Sequence, residues 1–259
     1  MTNKEKVIAT TAPRAAPRQA RVDLYWLPLG AGETSGCVRW NGRLFEAIAA
    51  RRDHRAPCDL YHSALEVHLD DARYIVEMTP AWGSGDGDRG VVRTGPVALR
   101  PLGRSRFLRY EIRRWRDGTI PDRAEAVGGA QRVTDDMVLA QRVLHLVPGV
   151  PTATWGRDEF RTGDMWNSNS LTSWLLASSG VRTADLHPPQ GGRAPGWDAG
   201  LVVAGRHAGD SLGAPATGGG LPRRPPWWSR HVHGSPEGSF ASGASALARR
   251  NVESLLRRP

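Results

Sequence analysis

Hydrophobic and polar residues alternate most regularly around Leu65, Val67 and Leu69, each of which is flanked by polar or small residues. This period of two is typical of a strand that buries one face. Asp70-Asp71 then predicts a turn, and Tyr74–Met78 predicts a returning strand. We therefore expect an antiparallel β-hairpin in this part of the chain.

The length of the hairpin turn decides which side chains share a face. With a two-residue turn, Leu69 pairs with Ala72, so that His62 lies opposite Thr79 and Glu77 lies on the same face as His62. With a three-residue turn, Glu77 moves to the other face. The register therefore decides whether Glu77 can reach His62.

A second strong signal lies at residues 167–176, where small polar residues change abruptly to apolar ones. Asn167 and Ser168 are residue types that cap helix starts, Leu171 and Trp174 follow at helical spacing, and Gly180 supplies a left-handed stop. A serine is thus predicted at the start of a buried helix, where free N–H groups and the helix dipole favour negative charge. This position suits either a structural cap or a nucleophile.

The other apolar patterns predict an α+β domain in which an antiparallel sheet packs against the helix at 168–178. We expect the strand at 106–116 to be half-exposed, with Arg109 and Arg113 on its solvated side. The remaining predictions are strands at 22–29 and 196–204, a helix at 44–50 with Ile48 on its apolar stripe, and a helix from 134 to 146 with Val138, Val143, Leu144 and Val147 directed inward.

The chain has 259 residues, 39% of them hydrophobic, which suits one sizeable core or two small ones. Its net charge of +9 is uneven, with +3 in residues 1–20, +5 in residues 205–259 and only +1 in residues 21–204. We predict a disordered basic leader at 1–20, a single domain at 21–204 and a disordered tail rich in Gly, Pro and Arg at 205–259. Because the charge lies in the tails, a specific nucleic-acid groove is not expected.

No run approaches eighteen apolar residues, and no apolar segment follows the first lysines, so neither a membrane span nor a secretory signal is predicted. A soluble cytoplasmic protein with free thiols at Cys37 and Cys58 is the expectation. No nucleotide or dinucleotide motif suggests a cofactor. His54, Cys58 and His62 are spaced by four, but Pro57 interrupts the helix that would align them, so no metal site is expected.

The remaining chemical candidates are His62, Ser168 and either Glu77 or Thr79. Nucleophilic hydrolysis needs an attacking oxygen or sulfur, an imidazole that takes its proton and a polar group that holds the imidazole. These residue types are therefore sufficient for nucleophilic hydrolysis, but the fold decides whether they lie close enough to one another to react.

Residues 61–67, 74–78 and 168–176 resemble, in this order, the histidine strand, partner strand and nucleophile helix of the circularly permuted papain-like fold. That superfamily includes NlpC-type amidases and relatives of lecithin:retinol acyltransferase. The resemblance covers about residues 60–180 and implies hydrolysis or acyl transfer at an amide or ester bond of a small, peptide-like or lipid-like substrate. It makes His62 the general base, Ser168 the nucleophile and Glu77 the group that orients His62; Asn167, Asn169 and Tyr61 would bind substrate.

Ser168 departs from the family, which has cysteine at this position. A thiol attacks as its thiolate, whereas a hydroxyl must lose its proton during attack, so this exchange usually costs much activity. Two hypotheses follow from the substitution. The chain is either a hydrolase with a serine nucleophile or an inactive papain-like domain that serves as a binding or scaffold module.

Overall fold

The computed structural model describes residues 19–31, 37–81 and 89–211. The leader before residue 19 and most of the predicted tail, from 212 onward, lie outside these residues. The elements are β1 (Ala20–Pro28), α1 (Cys37–Arg52), β2 (Tyr61–Leu69), β3 (Ala72–Pro80), β4 (Val91–Pro96), β5 (Arg109–Arg116), β6 (Ala130–Thr134), α2 (Met137–Leu146), α3 (Ser168–Ser179) and α4 (Trp197–Ser211), with short 3-10 turns at Arg100–Arg104, Arg106–Leu108, Arg123–Glu125 and Val147–Gly149.

The six strands form one sheet in the order β4-β5-β3-β2-β1-β6, and every neighbouring pair is antiparallel. This arrangement confirms the predicted α+β class with an antiparallel sheet. The β2–β3 hairpin has the two-residue turn, because Leu69 pairs with Ala72 and Leu65 pairs with Val76. His62 and Glu77 therefore lie on the same face of the sheet.

The two faces of the sheet differ in what covers them. One face, here called the helix face, packs against α2 and α3, and also contacts α4 through the rings of Trp26 and Trp197; it contains the largest buried cluster. The opposite face, here called the charged face, combines a small apolar cluster with ion pairs and is contacted by the segment after β5. The helix face includes Val22, Leu24, Trp26, Leu65, Val67 and Val76, and the charged face includes Asp23, Tyr25, Leu27, His62, Glu66, Glu77 and Arg113.

The predicted strand at 196–204 is wrong, because residues 197–204 belong to helix α4 and Gly196 directly precedes it. Its apolar run contains Val202-Val203, a pair typical of strands. The helix forms because α4 packs closely on α3: a Cβ at Gly200 would lie 2.1 Å from Ser173 Oγ. Contact between two helices therefore overrides the local preference, and α4 continues to Ser211, beyond the predicted end of the domain.

Other parts of the sequence prediction also need correction. The sequence pattern predicts neither β4 nor β6. The strand predicted at 106–116 begins at Arg109, because residues 106–108 form a 3-10 turn. Since β5 is an internal strand, Arg113 is buried rather than solvated. Ile48 and Val138, both predicted to face inward, are each 53% exposed.

Candidate functional site

Helix α3 begins with a capping box. Asn167 Oδ1 accepts hydrogen bonds from the N–H groups of Asn169, at 2.9 Å, and Ser170, at 3.3 Å, while Ser170 Oγ accepts from the Asn167 N–H at 3.0 Å. A cap of this kind satisfies N–H groups that have no partner inside the helix. Gly180, at φ +91°, ends the helix. Both predicted helix signals are confirmed.

Asn169 fastens the start of α3 to the start of β2. Its amide nitrogen donates to the Tyr61 carbonyl at 2.9 Å and to the Pro195 carbonyl at 2.8 Å. Asn167 donates to the same Pro195 carbonyl at 2.7 Å, and the Tyr61 ring belongs to the core of the helix face. The three residues expected to bind substrate thus join structural elements to one another.

Ser168 is the first residue of α3 and is only 4% exposed. Within the described part of the chain, its side chain makes no hydrogen bond, and none joins it to His62. Helix α3 packs on the helix face, whereas the His62 side chain leaves β2 on the charged face. The fold brings the starts of β2 and α3 together without joining the imidazole to the hydroxyl.

His62 is held by a carboxylate that the sequence did not identify. Its Nε2 lies 2.9 Å from Oδ2 of Asp122, which is 8% exposed in the segment after β5. Because a carboxylate accepts, Nε2 carries the hydrogen in this bond, and Nδ1 remains as the second ring nitrogen. The imidazole is therefore bonded to Asp122, whereas the carboxylate predicted to orient it, Glu77, is bonded to Arg113.

Glu77 lies near this pair but has a different partner. Its Oε1 accepts from the Arg113 guanidinium at 3.1 Å, and Arg113 also donates to Glu111 at 2.9 Å. Burial raises the pKa of Glu77, and the adjacent Arg113 opposes the rise. The result is a largely buried cluster of acidic and basic groups on the charged face.

Another acidic residue, Asp164, lies just before the start of α3. Asp164 Oδ2 accepts from the Gly196 N–H at 2.6 Å, and its Oδ1 accepts from the Met165 N–H at 2.8 Å. Burial raises the pKa of Asp164 to about 6, although both hydrogen bonds favour the charged form. A Cβ at Gly196 would lie 2.3 Å from Asn167 Oδ1, so this close contact requires glycine.

The charged face also contains a group of possible metal ligands. One ligand atom each from Asp23, Glu66 and His68 lies within 4.8 Å of the others. Arg21 and Arg132, however, each lie 2.8 Å from a different oxygen of Asp23. Since guanidinium groups already supply positive charge here, we interpret these residues as an ion-pair cluster.

Of the three residues at spacing four, Cys58 and His62 have different side-chain partners. His54 follows the end of α1, and Cys58 Sγ donates to Glu46 Oε1 at 3.2 Å, while His62 contacts Asp122. Burial, reinforced by Glu46, raises the pKa of the Cys58 thiol and disfavours the thiolate that a nucleophile or metal ligand needs.

Sequence reasoning missed Asp122 and Asp164, and both depend on long-range contacts. Asp122 is 60 residues from His62, in a segment with no pattern that indicates what it contacts. Asp164 precedes the polar start of α3, and this proximity was the only available signal.

No family model, curated protein or solved structure matches this chain significantly. Among the residues that the structure describes, none of the helices combines the length and apolar character needed to cross a bilayer.

Proposed function

We propose that this domain is a binding or scaffold module of permuted papain-like ancestry that does not hydrolyse substrates through Ser168. One observation carries the proposal: His62 projects from the charged face and is bonded to Asp122, whereas α3 lies on the helix face. A general base must come within hydrogen-bond reach of the hydroxyl that it deprotonates.

The polar groups around Ser168 support this proposal. Asn169 uses both amide hydrogens on backbone carbonyls, and the Asn167 oxygen accepts the N–H groups of Asn169 and Ser170. An oxyanion would need donors of this kind. Because they already fasten α3 to its neighbours, stabilising a reaction intermediate would require breaking structural contacts.

The second candidate is the serine hydrolase, and two contacts favour it. The His62–Asp122 pair at 2.9 Å has the geometry of a base and its orienting acid, and the Asn169–Tyr61 bond brings the segments that carry Ser168 and His62 together. In this mechanism, His62 Nδ1 would take the Ser168 proton while Asp122 stabilises the imidazolium. The substrate would be an amide or ester.

A thiol at position 168 separates the two candidates. In Ser168→Cys, the alkylation rate of the peptide containing residue 168, followed by mass spectrometry across pH, gives the thiol pKa. We expect the same pKa in Ser168→Cys and in Ser168→Cys/His62→Ala. A neighbouring imidazolium would instead hold the pKa well below the ordinary value of about 8.5 until His62 is removed.

The comparison between these variants cancels the effect of the helix start, which both share. Wild-type protein supplies the background reactivity of Cys37 and Cys58, and near-ultraviolet circular dichroism verifies that each variant folds. We also expect no labelling of wild-type Ser168 by a serine-reactive phosphonate. Labelling that disappears in His62→Ala, or a His62-dependent thiol pKa, would overturn the proposal and establish the hydrolase.

A further inference from the structure

Positive charge is concentrated in one segment of a region whose net charge is close to zero. Residues 89–110 contain six arginines and no acidic residue, although residues 21–204 have a net charge of only +1. The segment includes β4, the first two residues of β5 and the two 3-10 turns between these strands. This asymmetry is independent of the charge in the chain's ends.

The second 3-10 turn presents an apolar ring to solvent. Phe107 is 64% exposed, more than any other large hydrophobic residue whose exposure the structure describes. Ser105 Oγ accepts from the Phe107 N–H at 3.3 Å, and the Ser105 carbonyl accepts from the Leu108 N–H at 3.0 Å. These bonds hold the backbone of the Phe107 tip, which we define as residues 104–109.

The arginines of this segment differ in whether the protein provides a counter-charge. Arg89 lies 3.7 Å from Glu111, and Arg100 lies 2.8 Å from Glu159. Arg104 and Arg109, on either side of Phe107, form no ion pair with another described residue. The tip thus combines an exposed apolar ring with guanidinium charge that is not neutralised locally.

We propose that the Phe107 tip docks on a lipid surface containing anionic headgroups. Phe107 enters the interfacial region, where burial of its exposed ring is favourable, while Arg104 and Arg109 pair with the anionic headgroups. The attachment is weak and reversible, because one ring and a few charges provide little partition energy. This inference is independent of the proposed function, since a catalytic or a non-catalytic domain could dock in this way.

The pairing of an apolar ring with cations favours lipid over nucleic acid. Phosphates of a nucleic acid would satisfy the arginines, but binding single strands typically uses several aromatic platforms along a groove. Between residues 89 and 110 the other aromatic residue, Tyr110, is fully buried. A bilayer interface offers both an apolar phase for Phe107 and anions for the arginines.

Vesicle sedimentation of the full chain tests the proposal. Wild-type protein should bind phosphatidylcholine vesicles that contain phosphatidylserine and should not bind vesicles of phosphatidylcholine alone. Phe107→Ser should weaken the partition coefficient about fivefold without changing its salt dependence. Arg104→Gln should also weaken it about fivefold but should make the salt dependence shallower.

Two matched surface changes serve as controls. Val138→Ser alters another exposed apolar side chain, and Arg182→Gln removes an arginine that pairs with Asp185 at 2.7 Å. Neither should change vesicle binding, and the chain ends are the same in every variant. Equal thermal midpoints for all four variants would verify that they remain folded.

Three results would overturn the proposal. The first is failure of the wild type to bind anionic vesicles, and the second is unchanged binding by both tip variants. The third is a loss of binding, in the two tip variants, to a fluorescent single-stranded oligonucleotide while their binding to vesicles is unchanged. That result would assign the tip to nucleic acid. None of these results depends on Ser168 labelling, so failure here and failure of the proposed function are distinguishable.

Discussion

The two faces of the sheet bury side chains by different means. The helix face is covered by three helices and contains a continuous apolar cluster that includes Leu65 and Leu175. The charged face has a buried apolar cluster of five residues and surrounds it with ion pairs. The comparison indicates that the helix face stabilises the domain and positions α3, whereas the charged face positions the acid–base groups.

The charged face also contains an unfavourable strand pairing that arginines offset. Asp23 and Glu66 are directly opposite on β1 and β2, and both are almost fully buried. Like charges opposite each other destabilise a sheet. Four surrounding arginines compensate for this repulsion and for the desolvation of the carboxylates: Arg21, Arg73, Arg123 and Arg132.

The largest effect should come from a cavity under the helix face. Leu65→Ala should lower the free energy of unfolding by about 3 kcal/mol, because Leu65 is fully buried between the sheet and its helices. Leu27→Ala is the matched change in the smaller cluster and should cost about 2 kcal/mol. Urea denaturation measures both. Equal losses would show that the two clusters are equally well packed and would remove this part of the comparison.

The next effect should arise on the charged face. Glu66→Gln should lower the free energy of unfolding by about 2 kcal/mol, since it removes the charge that faces Arg123 at 3.0 Å while burying an amide. The loss should be smaller than for a fully buried pair, because Arg123 is half exposed and can be hydrated. Asp135→Asn, at a carboxylate exposed to solvent, is the control and should change stability little. A neutral result for Glu66→Gln would contradict the assigned role of the ion pairs.

A pH-dependent effect should distinguish Asp164 from the carboxylates paired with arginine. Its folded-state pKa of about 6 exceeds the ordinary value of 3.8, so its contribution to stability is fully present below pH 3.8 and disappears as the pH rises through 6. Between pH 5 and about 7.5, wild type should lose about 1 kcal/mol more stability than Asp164→Asn.

Urea unfolding of both proteins at the two pH values measures this difference. Asp185→Asn, at an exposed carboxylate, is the control and should follow the wild type. Parallel pH profiles for wild type and Asp164→Asn would show that the pKa of Asp164 is not raised in the folded protein.

Local patterns were sufficient to predict the β2–β3 hairpin and the ends of α3. The alternation of Leu65, Val67 and Leu69 with polar or small residues indicates that one face of β2 is buried. A two-residue turn then fixes the register between β2 and β3. Asn167 and Gly180 act through their own backbone geometry, so their roles can be read from neighbouring residues. These features need no information about distant parts of the chain.

The parts that sequence could not predict depend on tertiary contacts. Val202-Val203 favours a strand until Gly200 permits α4 to pack on α3. The partner of His62 depends on the path of the chain, because Asp122 reaches His62 only when β5 pairs with β3 in the sheet. Sequence therefore identified His62 and Ser168 as candidates, but the relation between them depended on which face each occupies.

The smallest expected effect tests where the cover of the helix face ends. Val138 and Val143 are both on α2, but Val143 is fully buried and Val138 is largely exposed. Val143→Ala should cost about 1–2 kcal/mol because it leaves a cavity, whereas Val138→Ala should change the free energy of unfolding by less than about 0.5 kcal/mol. Alanine is the better helix former, which offsets the small decrease in apolar burial at position 138. Urea denaturation of the two variants distinguishes these outcomes. A comparable loss at Val138 would mean that α2 buries both positions, as its sequence pattern predicted, and that the apolar cover of the helix face extends to the first turn of α2.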